Sequence, residues 1–476
     1  MEKNEKRMLS AYSIIIILIF IIGFASHLLP QAKFVGETLV DGSGVIPAKI
    51  SDILMSPILG FADAIDVCIF VIVLGGFLAI IEKTEALETG IKVLVQKLKG
   101  KETILIPILM FIFSIGGTTY GMLEETVGFY ALLSATMVAA GMDTLVASSI
   151  VLLGAGSGVL GSTINPFAVG AAVSALPDGM AVNQGIIIAL GTILWLTTYG
   201  ISTYFVMKYA KKVQKDKGST FLSLQEQEAM KKTYKKAKEV KTELTGAQKL
   251  TLWLFGGTFA IMIIGFIPWG DFNIDFFEFT GLITGSPLGE WYFYESTLWF
   301  LLMSIVISFI NGYKEYEFID TFIEGTKDMI SVALIIAVAR GASVLMRTTH
   351  LDNYIIYNAS EILRNMPAVV FGPLNYLLHV VLSVLVPSSS GLASLSTPIM
   401  GPLAANLGYS VETTIMTFVA ANGLVNLITP TCGAIMGGLA LAKVEYTTWV
   451  KWAAKVVATI AVVNIIIITI AMAILH

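Results

Sequence analysis

Leu9 to Leu29, LSAYSIIIILIFIIGFASHLL, is an almost unbroken apolar run, long enough for a helix to cross a bilayer. Eight further segments of this kind follow it. Hydrocarbon leaves no water to satisfy backbone N–H and C=O groups, so a chain with such runs must form spanning helices or a closed barrel. The runs are continuous and do not alternate, which excludes an outer-membrane barrel. The chain is 55% hydrophobic and 13% charged, with a mean hydropathy of +0.79. A soluble domain carries about 25% charge and a disordered one has low hydrophobicity, so both are excluded. The net charge of −4 says little about partners, because placement matters more than the sum. Cys68 and Cys432 both lie in apolar stretches and read as packing residues, not as a disulfide or a metal pair.

The basic head MEKNEKR and the run after it resemble a signal peptide, but a cleaved signal has an apolar core of about 7–15 residues. The longer run reads as a retained first span. Nine segments are expected to cross: Leu9–Pro30, Val67–Glu82, Asp143–Pro177, Gln184–Lys208, Lys249–Pro268, Glu295–Asn311, Met329–Met346, Val411–Lys443 and Trp449–Leu475. Glu102–Gly141 and Asn365–Gly408 are apolar too, but SIGGTTYG (Ser114–Gly121) and PSSSG (Pro387–Gly391) interrupt them near the middle. Each arm is then too short to cross at about 1.5 Å per residue, and both segments read as re-entrant hairpins.

With the N-terminus in the cytoplasm, 25 Lys and Arg fall inside and four outside: Lys33, Lys49, Arg347 and Arg364. Arg340 remains within a span. The bias of Lys and Arg towards the cytoplasm supports this orientation and the span count; the expected location is a bacterial cytoplasmic (inner) membrane. Counting either hairpin as a crossing would scramble the split. The hydrophilic stretch from Lys211 to Thr245 belongs to a loop with twelve lysines. It reads as a solvated, partly helical cytoplasmic linker and not as a nucleic-acid patch.

The chain also repeats itself. EKTEAL around Lys83 and MRTTHL around Arg347 each precede an amphipathic stretch and then a hairpin. Thr84 and Thr348, Leu87 and Leu351, and Pro166 and Pro430 are all 264 residues apart. After each hairpin comes a span broken by small residues, GAGSGVLGSTINPFAVG (Gly154–Gly170) and AANGLVNLITPTCGAIMGG (Ala420–Gly438). The expected architecture is all-α and polytopic: an inverted repeat of about nine transmembrane helices, two of them broken, plus two re-entrant hairpins. The first repeat takes residues 1–208, the linker, its helix and an outer loop take 209–294, and the second repeat takes 295–476. Inverted repeats with broken helices point to a secondary transporter with its site near the membrane midplane.

The breaks are where chemistry is expected, because non-helical backbone at membrane depth must line a cavity or be buried in protein. Asn165 precedes Pro166 and Thr429 precedes Pro430. Asn and Thr are good N-caps and Pro suits the first helical position, so each restart would aim free N–H groups at a carboxylate. Around the breaks lie Ser157, Ser162, Thr163, Asn422, Asn426 and Thr431, oxygens suited to polar solute groups or to Na⁺. Ser162, Thr163, Asn426 and Thr431 form the candidate Na⁺ set. The tips add Thr118, Thr119 and Tyr120 in one half and Ser388, Ser389 and Ser390 in the other. Packing of small residues between helices is the competing reading for any single Ser or Thr.

Ionisable residues at membrane depth are few, so each needs a role. Glu124 and Glu125 follow the first tip, and Arg340 lies within a span. One reading lets a glutamate hold a solute ammonium while Arg340 or a helix end holds its carboxylate. The other pairs a glutamate with Arg340 structurally. His379 reads as a packing residue, with proton carriage as the alternative. Asp63 and Asp66 read as solvated at the outer end of the second span.

On GGTTYGMLEETVGFY, GAGSGVLGSTINPFAVG, VLVPSSSGLASLSTPIMGPLA and NLITPTCGAIMGGLALA, the chain resembles the C4-dicarboxylate anaerobic carrier family, in its YfcC-like branch, within the ion transporter superfamily. The resemblance covers nearly the whole chain. It implies a scaffold and a transport domain moving like an elevator, solute held between the hairpin tips and unwound loops, and a homodimer. Similar proteins are assigned to dicarboxylates, to arginine–ornithine exchange, or to peptides and amino acids. The acidic pair favours an amino acid, with a basic one exchanged for another as the sharpest form. A dicarboxylate carrier coupled to Na⁺ or H⁺ is the runner-up, and a channel is the rival class. No cofactor, no nucleic acid and no catalysis are expected: there is no HExxH and no GxSxG, and no His and Asp beside the serines.

Overall fold

The computed structural model describes residues 11–35, 38–39, 43–87, 89–90, 93, 102–177, 180, 182–234, 243–266, 269 and 277–475, although the side chains of Tyr120, Glu124 and Glu125 lie outside the description. Apart from a ribbon of two-residue strands, β1 (Phe34–Val35) and β2 (Thr38–Leu39), these residues form helices and their connections. Seven of the helices are long and apolar enough to cross a membrane, and four shorter apolar ones accompany them, among the described residues.

The helices pack in two groups. The first contains α1 (Ala11–Leu28), α2 (Ile50–Asp63), α3 (Ile65–Lys83), α9 (Gly246–Phe266), α10 (Phe293–Ile310) and α11 (Glu315–Thr349). Helix α2 was not expected. Its start is fixed by the Asp52 carboxylate, which accepts from the Lys49 N–H at 2.9 Å. Helix α11 is longer than the expected span Met329–Met346, and its 35 residues rise about 52 Å, well beyond a ~30 Å hydrocarbon layer. Aromatic rings fill the centre of this group. Phe77 meets Phe300 edge-on at 5.0 Å and stacks on Phe255 at 5.9 Å.

The second group contains α4 (Leu105–Tyr120), α5 (Phe129–Ala139), α6 (Thr144–Leu160) and α7 (Gln184–Lys215). It also contains α12 (Leu351–Leu363), α13 (Ala368–Leu385), α14 (Ser389–Asn406), α15 (Val411–Val425), α16 (Gly433–Leu441) and α17 (Tyr446–Ile474). The expected repeat is visible as packing. Helices α4, α6 and α7 pack against one another, as α13, α15 and α17 do, and α6 lies directly on α15. Polar caps start each half. Asp143 accepts from the Val146 N–H at 2.9 Å to open α6, and Ser410 accepts from the Thr413 N–H at 3.1 Å to open α15. Helix α6 is buried along its whole length and α15 at every position except Glu412, as helices surrounded by protein must be.

Two features add to the sequence reading. Helix α7 runs to Lys215, through the boundary expected at residue 208. The linker beyond it is partly helical, as the sequence suggests, and as far as Tyr234 it is also tied down by hydrogen bonds. Asp143 accepts from the hydroxyls of Tyr209 (2.6 Å) and Thr220 (2.7 Å). Glu226, on α8 (Leu224–Tyr234), accepts from the Glu445 N–H (2.8 Å) and the Thr448 hydroxyl (3.0 Å) at the start of α17. A carboxylate given several donors can stay buried, and these two strap the linker to both halves of the second group. Most of the amphipathic stretch expected after Lys83, and residues 235–242 of the linker, lie outside the described residues.

Candidate functional site

The first hairpin turns at Gly121, which ends α4 at φ +85°. Only glycine takes that left-handed conformation without steric cost. A Cβ there would also come within 2.8 Å of the Asn165 amide, so the tip and the first break touch at this point. The break itself, Gly161–Asn165, is held by its neighbours. Thr118 donates to the Gly161 carbonyl (2.7 Å), while the Thr163 N–H and hydroxyl both reach the Thr118 carbonyl, at 2.9 and 3.1 Å. Asn165 caps the restart as expected: its Oδ1 accepts from the N–H groups of Phe167 (2.9 Å) and Ala168 (3.3 Å), and its Nδ2 donates to Ser162 (2.9 Å). One π-helical turn, Pro166–Gly170, follows.

The second break is longer. Helix α15 stops at Val425 and α16 begins only at Gly433, with Cys432 in the capping position. Thr429 and Pro430 therefore do not open the helix, contrary to the sequence reading. The Thr429 hydroxyl is paired with that of Thr431 at 2.8 Å, and Thr431 donates to the Val384 carbonyl at 2.8 Å. That web keeps the chain out of the helix through a turn at Pro430 and Thr431, where the Cys432 N–H meets the Thr429 carbonyl at 3.3 Å. No side chain caps the first N–H groups of α16. Asn422 and Asn426 tie this break to the second tip: Asn422 accepts from Ser389 (2.8 Å), and Asn426 donates to the Pro387 carbonyl (2.9 Å). Ser388 caps α14 by accepting from the Gly391 N–H at 3.3 Å.

Both tips and both breaks open on one cavity of about 370 Å³. Its polar wall includes Asn165, Ser388, Ser389, Ser390, Asn426 and Thr431, and the starts of α14 and α16 face it through Ser389 and Gly433. Asn426 Oδ1 is a buried acceptor without a partner among the described residues. The opposite wall comes from the first helix group and carries Asp63, Asp66, Arg340 and Arg347. Asp63 lies 2.7 Å from Arg347 and 3.5 Å from Arg340. Asp63 is thus not merely solvated, and the ion pair described for Arg340 is with Asp63. The apolar lining includes Phe167, Tyr292 and Phe293.

The other residues singled out in the sequence are placed differently. Thr118, Ser162, Thr163, Asn422 and Thr429 are buried in the hydrogen-bond webs that shape the breaks. The Thr119 hydroxyl bonds back to the Ile115 carbonyl at 2.7 Å. Among the candidate Na⁺ residues, Asn426 and Thr431 line the cavity, and Ser162 and Thr163 sit in the other break. Glu124 and Glu125 form part of a short 3₁₀ turn after the first tip. The acids Asp63 and Asp66 and the base Arg347 were missed as site residues. They sit at helix ends, where charge usually means solvent.

The family model for the C4-dicarboxylate anaerobic carrier matches residues 8–473. A protein of Haemophilus influenzae, named only as uncharacterized, is 31% identical over 88% of this chain and 78% of its own. An Escherichia coli (strain K12) protein provisionally named basic amino acid antiporter YfcC is 25% identical over 86% of this chain and 78% of its own. Among solved structures, Neisseria gonorrhoeae MtrF aligns with a TM-score of 0.45 and 18% identity, over 99% of this chain and 96% of that one. The Alcanivorax borkumensis YdaH transporter aligns with a TM-score of 0.47 and 13% identity, over 97% and 98%. The chain is a membrane transporter and belongs to the C4-dicarboxylate anaerobic carrier family, in its YfcC-like branch.

Proposed function

We propose that this chain is a secondary active carrier of an amino acid, with a basic amino acid exchanged across the cytoplasmic membrane as its preferred reaction. The observation that carries this reading is the sign of the cavity wall. Two carboxylates and two guanidiniums face a space lined otherwise by hydroxyls, amides and helix starts. A zwitterion needs both signs, and charge-assisted hydrogen bonds are roughly twice as strong as neutral ones. The solute carboxylate goes to Arg340, Arg347 or the helix starts at Ser389 and Gly433, and its ammonium goes to Asp66, since Asp63 is engaged by both arginines. The volume lies within the ~300–1,000 Å³ of small-molecule sites. The provisional name of the Escherichia coli relative agrees.

The division into two helix groups supports alternating access. The group holding tips and breaks slides as one body past the group holding α2, α3 and α11, carrying solute with it in an elevator motion. The runner-up is a C4-dicarboxylate carrier, favoured by Arg340 and Arg347 standing together on one wall. Counterflow in proteoliposomes tests both. Preloaded arginine should accelerate entry of labelled ornithine and lysine. Acceleration by succinate or fumarate alone would replace the amino-acid reading with the dicarboxylate one.

A further inference from the structure

Helices α7 and α17 lie against each other in the second group, and each carries an exposed stripe along its length. On α7, Ile193, Leu196 and Tyr204 are exposed. The same face continues, in steps of three or four residues, to the exposed Lys208, Lys211 and Lys215, as neighbours on a helix surface do. On α17, Ile474, Ile470, Ile466 and Val462 are exposed, and that face continues through Ala458 to the exposed Lys455 and Lys451. Residues 184–207 of α7 and 456–474 of α17 hold no Asp, Glu, Lys or Arg. These stretches rise ~36 and ~28 Å, each close to the ~30 Å of a hydrocarbon layer. The lysines begin where the hydrocarbon ends.

The two sets of lysines meet at one level. Tyr209, next to Lys208, and Trp452, next to Lys451, are ring neighbours at 5.6 Å. Tyr204 is 60% exposed, and Lys208 Nζ stands 5.8 Å from its ring centre. Tyr rings at headgroup level, with long cationic side chains reaching outward, mark a membrane interface. With Lys212, six exposed lysines share this end. None of the six forms an ion pair among the described residues. Lys83, by contrast, reaches the Thr321 hydroxyl at 3.0 Å, and Lys327 pairs with Glu324 at 3.2 Å. Asp216, Glu228 and Glu445 are the exposed acids on the adjoining chain. Asp216 already accepts from the Gly218 N–H (3.0 Å) and the Ser219 hydroxyl (2.7 Å), so the surface stays basic.

We propose that this collar of lysines is a docking surface for anionic phospholipid, and that lipid bound there sets the level of the second helix group in the membrane. Continuity decides the partner. The lysines extend faces that are uncharged for a whole membrane depth, so the first anions they meet are headgroup phosphates. Ammonium–phosphate hydrogen bonds are charge-assisted, and one lysine close to an anionic surface improves binding roughly fivefold. The second half of the proposal rests on the carrier reading above. Both helices belong to the group that slides, and sliding takes the lysines away from the headgroups or into hydrocarbon. Anionic lipid therefore favours the arrangement seen in this structure.

The test has two arms on the full chain. In a C68S/C432S background, Y204C carries a bimane label in phosphatidylcholine nanodiscs. Spin-labelled phosphatidylglycerol should quench it with an affinity about fivefold or more above that of spin-labelled phosphatidylcholine. K211Q/K215Q/K451Q/K455Q should bring the ratio to one, and so should about 1 M salt, where screening acts within about 3 Å. A label at I188C, near the other end of α7, should not distinguish the two lipids. Equal quenching at Y204C, a preference that survives the four substitutions, or an equal preference at I188C overturns the proposal. Loss of the preference on adding millimolar inorganic phosphate also overturns it, because the surface then takes soluble anions. In the second arm, arginine–ornithine exchange is compared in proteoliposomes with and without phosphatidylglycerol. The rate should change with phosphatidylglycerol in the wild type and not in the fourfold variant. A wild type that ignores the lipid, or a variant that responds as the wild type does, overturns the role in movement. If the wild type exchanges no amino acid, the functional reading fails and the quenching arm alone decides the docking surface.

Discussion

The guanidinium of Arg347 stands 2.7 Å from the carboxylate of Asp63, 284 residues earlier in the chain, at the rim of the cavity. Asp63 also meets Arg340, so one carboxylate neutralises two cations that a solute carboxylate would seek. Both partners are partly exposed, and such pairs stabilise by about 0.2–1 kcal/mol.

Asp63→Asn should therefore cost little in melting temperature while freeing both arginines. Binding of a carboxylate solute should tighten by up to about fivefold, the same ~1 kcal/mol read as affinity. Isothermal titration with succinate and with arginine, beside a melting curve, checks both halves. Loss of binding to every solute, with folding intact, would mean that Asp63 serves the solute and not the arginines.

Gly121 joins the first tip to the first break. Gly121→Ala places a Cβ in left-handed backbone, which costs about 1–2 kcal/mol, and pushes it against the Asn165 amide. Asn165→Ala removes the cap and costs about 0.5–2 kcal/mol. Both variants should fold in membranes and lose at least tenfold in uptake, because the break can no longer hold its shape beside the tip. Uptake at wild-type rate at equal expression in either variant would separate the break from transport.

The breaks, the tips and the 264-residue spacing were legible because Gly, Pro, Asn and Ser interrupt apolar runs in a way that hydrocarbon does not tolerate without cause. The charged wall was not legible. Asp63 meets Arg340 and Arg347 because α2 crosses α11 where Gly60 faces Gly341, so closely that a Cβ on either would strike the other backbone. Small residues permit such crossings, but Gly60 alone does not say which helix it will meet. The late start of α16 was hidden for a related reason. The Thr429–Pro430 pair is a good local helix start, and the bond from Thr431 to Val384 on the neighbouring hairpin overrides it.

The charge split predicts topology. The loop Lys208–Lys249 should face the cytoplasm and the segment before Glu295 should face outward. Both native cysteines are buried, so serine replacements give a background for single-cysteine labelling. In intact cells, a cysteine at Glu290 should react with a membrane-impermeant maleimide and one at Lys231 should not. The reverse pattern would invert the whole arrangement.

Cys432 offers a reporter that needs no engineering. It borders the cavity beside the uncapped start of α16 and is 4% exposed. A small permeant thiol reagent should modify it slowly, and a saturating solute should slow this further, at least threefold. Cys68 lies behind the wall, with its thiol donating to the Ala333 carbonyl at 3.4 Å, and should stay unmodified. Equal labelling of Cys432 with and without solute would place the solute elsewhere.

The sign of the solute can be read from two substitutions on the opposite wall. Asp66→Asn keeps shape and removes one negative charge, and Arg340→Gln removes one positive charge. A hydrogen bond to a charged group contributes about 1.5–3 kcal/mol, roughly 10- to 150-fold in affinity. If the solute is a basic amino acid, Asp66→Asn should weaken arginine binding on that scale, because the ammonium or guanidinium loses its counter-charge. Arg340→Gln should weaken it too, through the solute carboxylate, while leaving a decarboxylated analogue such as agmatine unaffected. If the solute is a dicarboxylate, Arg340→Gln alone should be harmful, and Asp66→Asn should be neutral or helpful because a like charge has gone. Competition binding of arginine, agmatine and succinate on both variants separates these patterns. Arginine bound normally by Asp66→Asn, with succinate lost in Arg340→Gln, would end the amino-acid assignment.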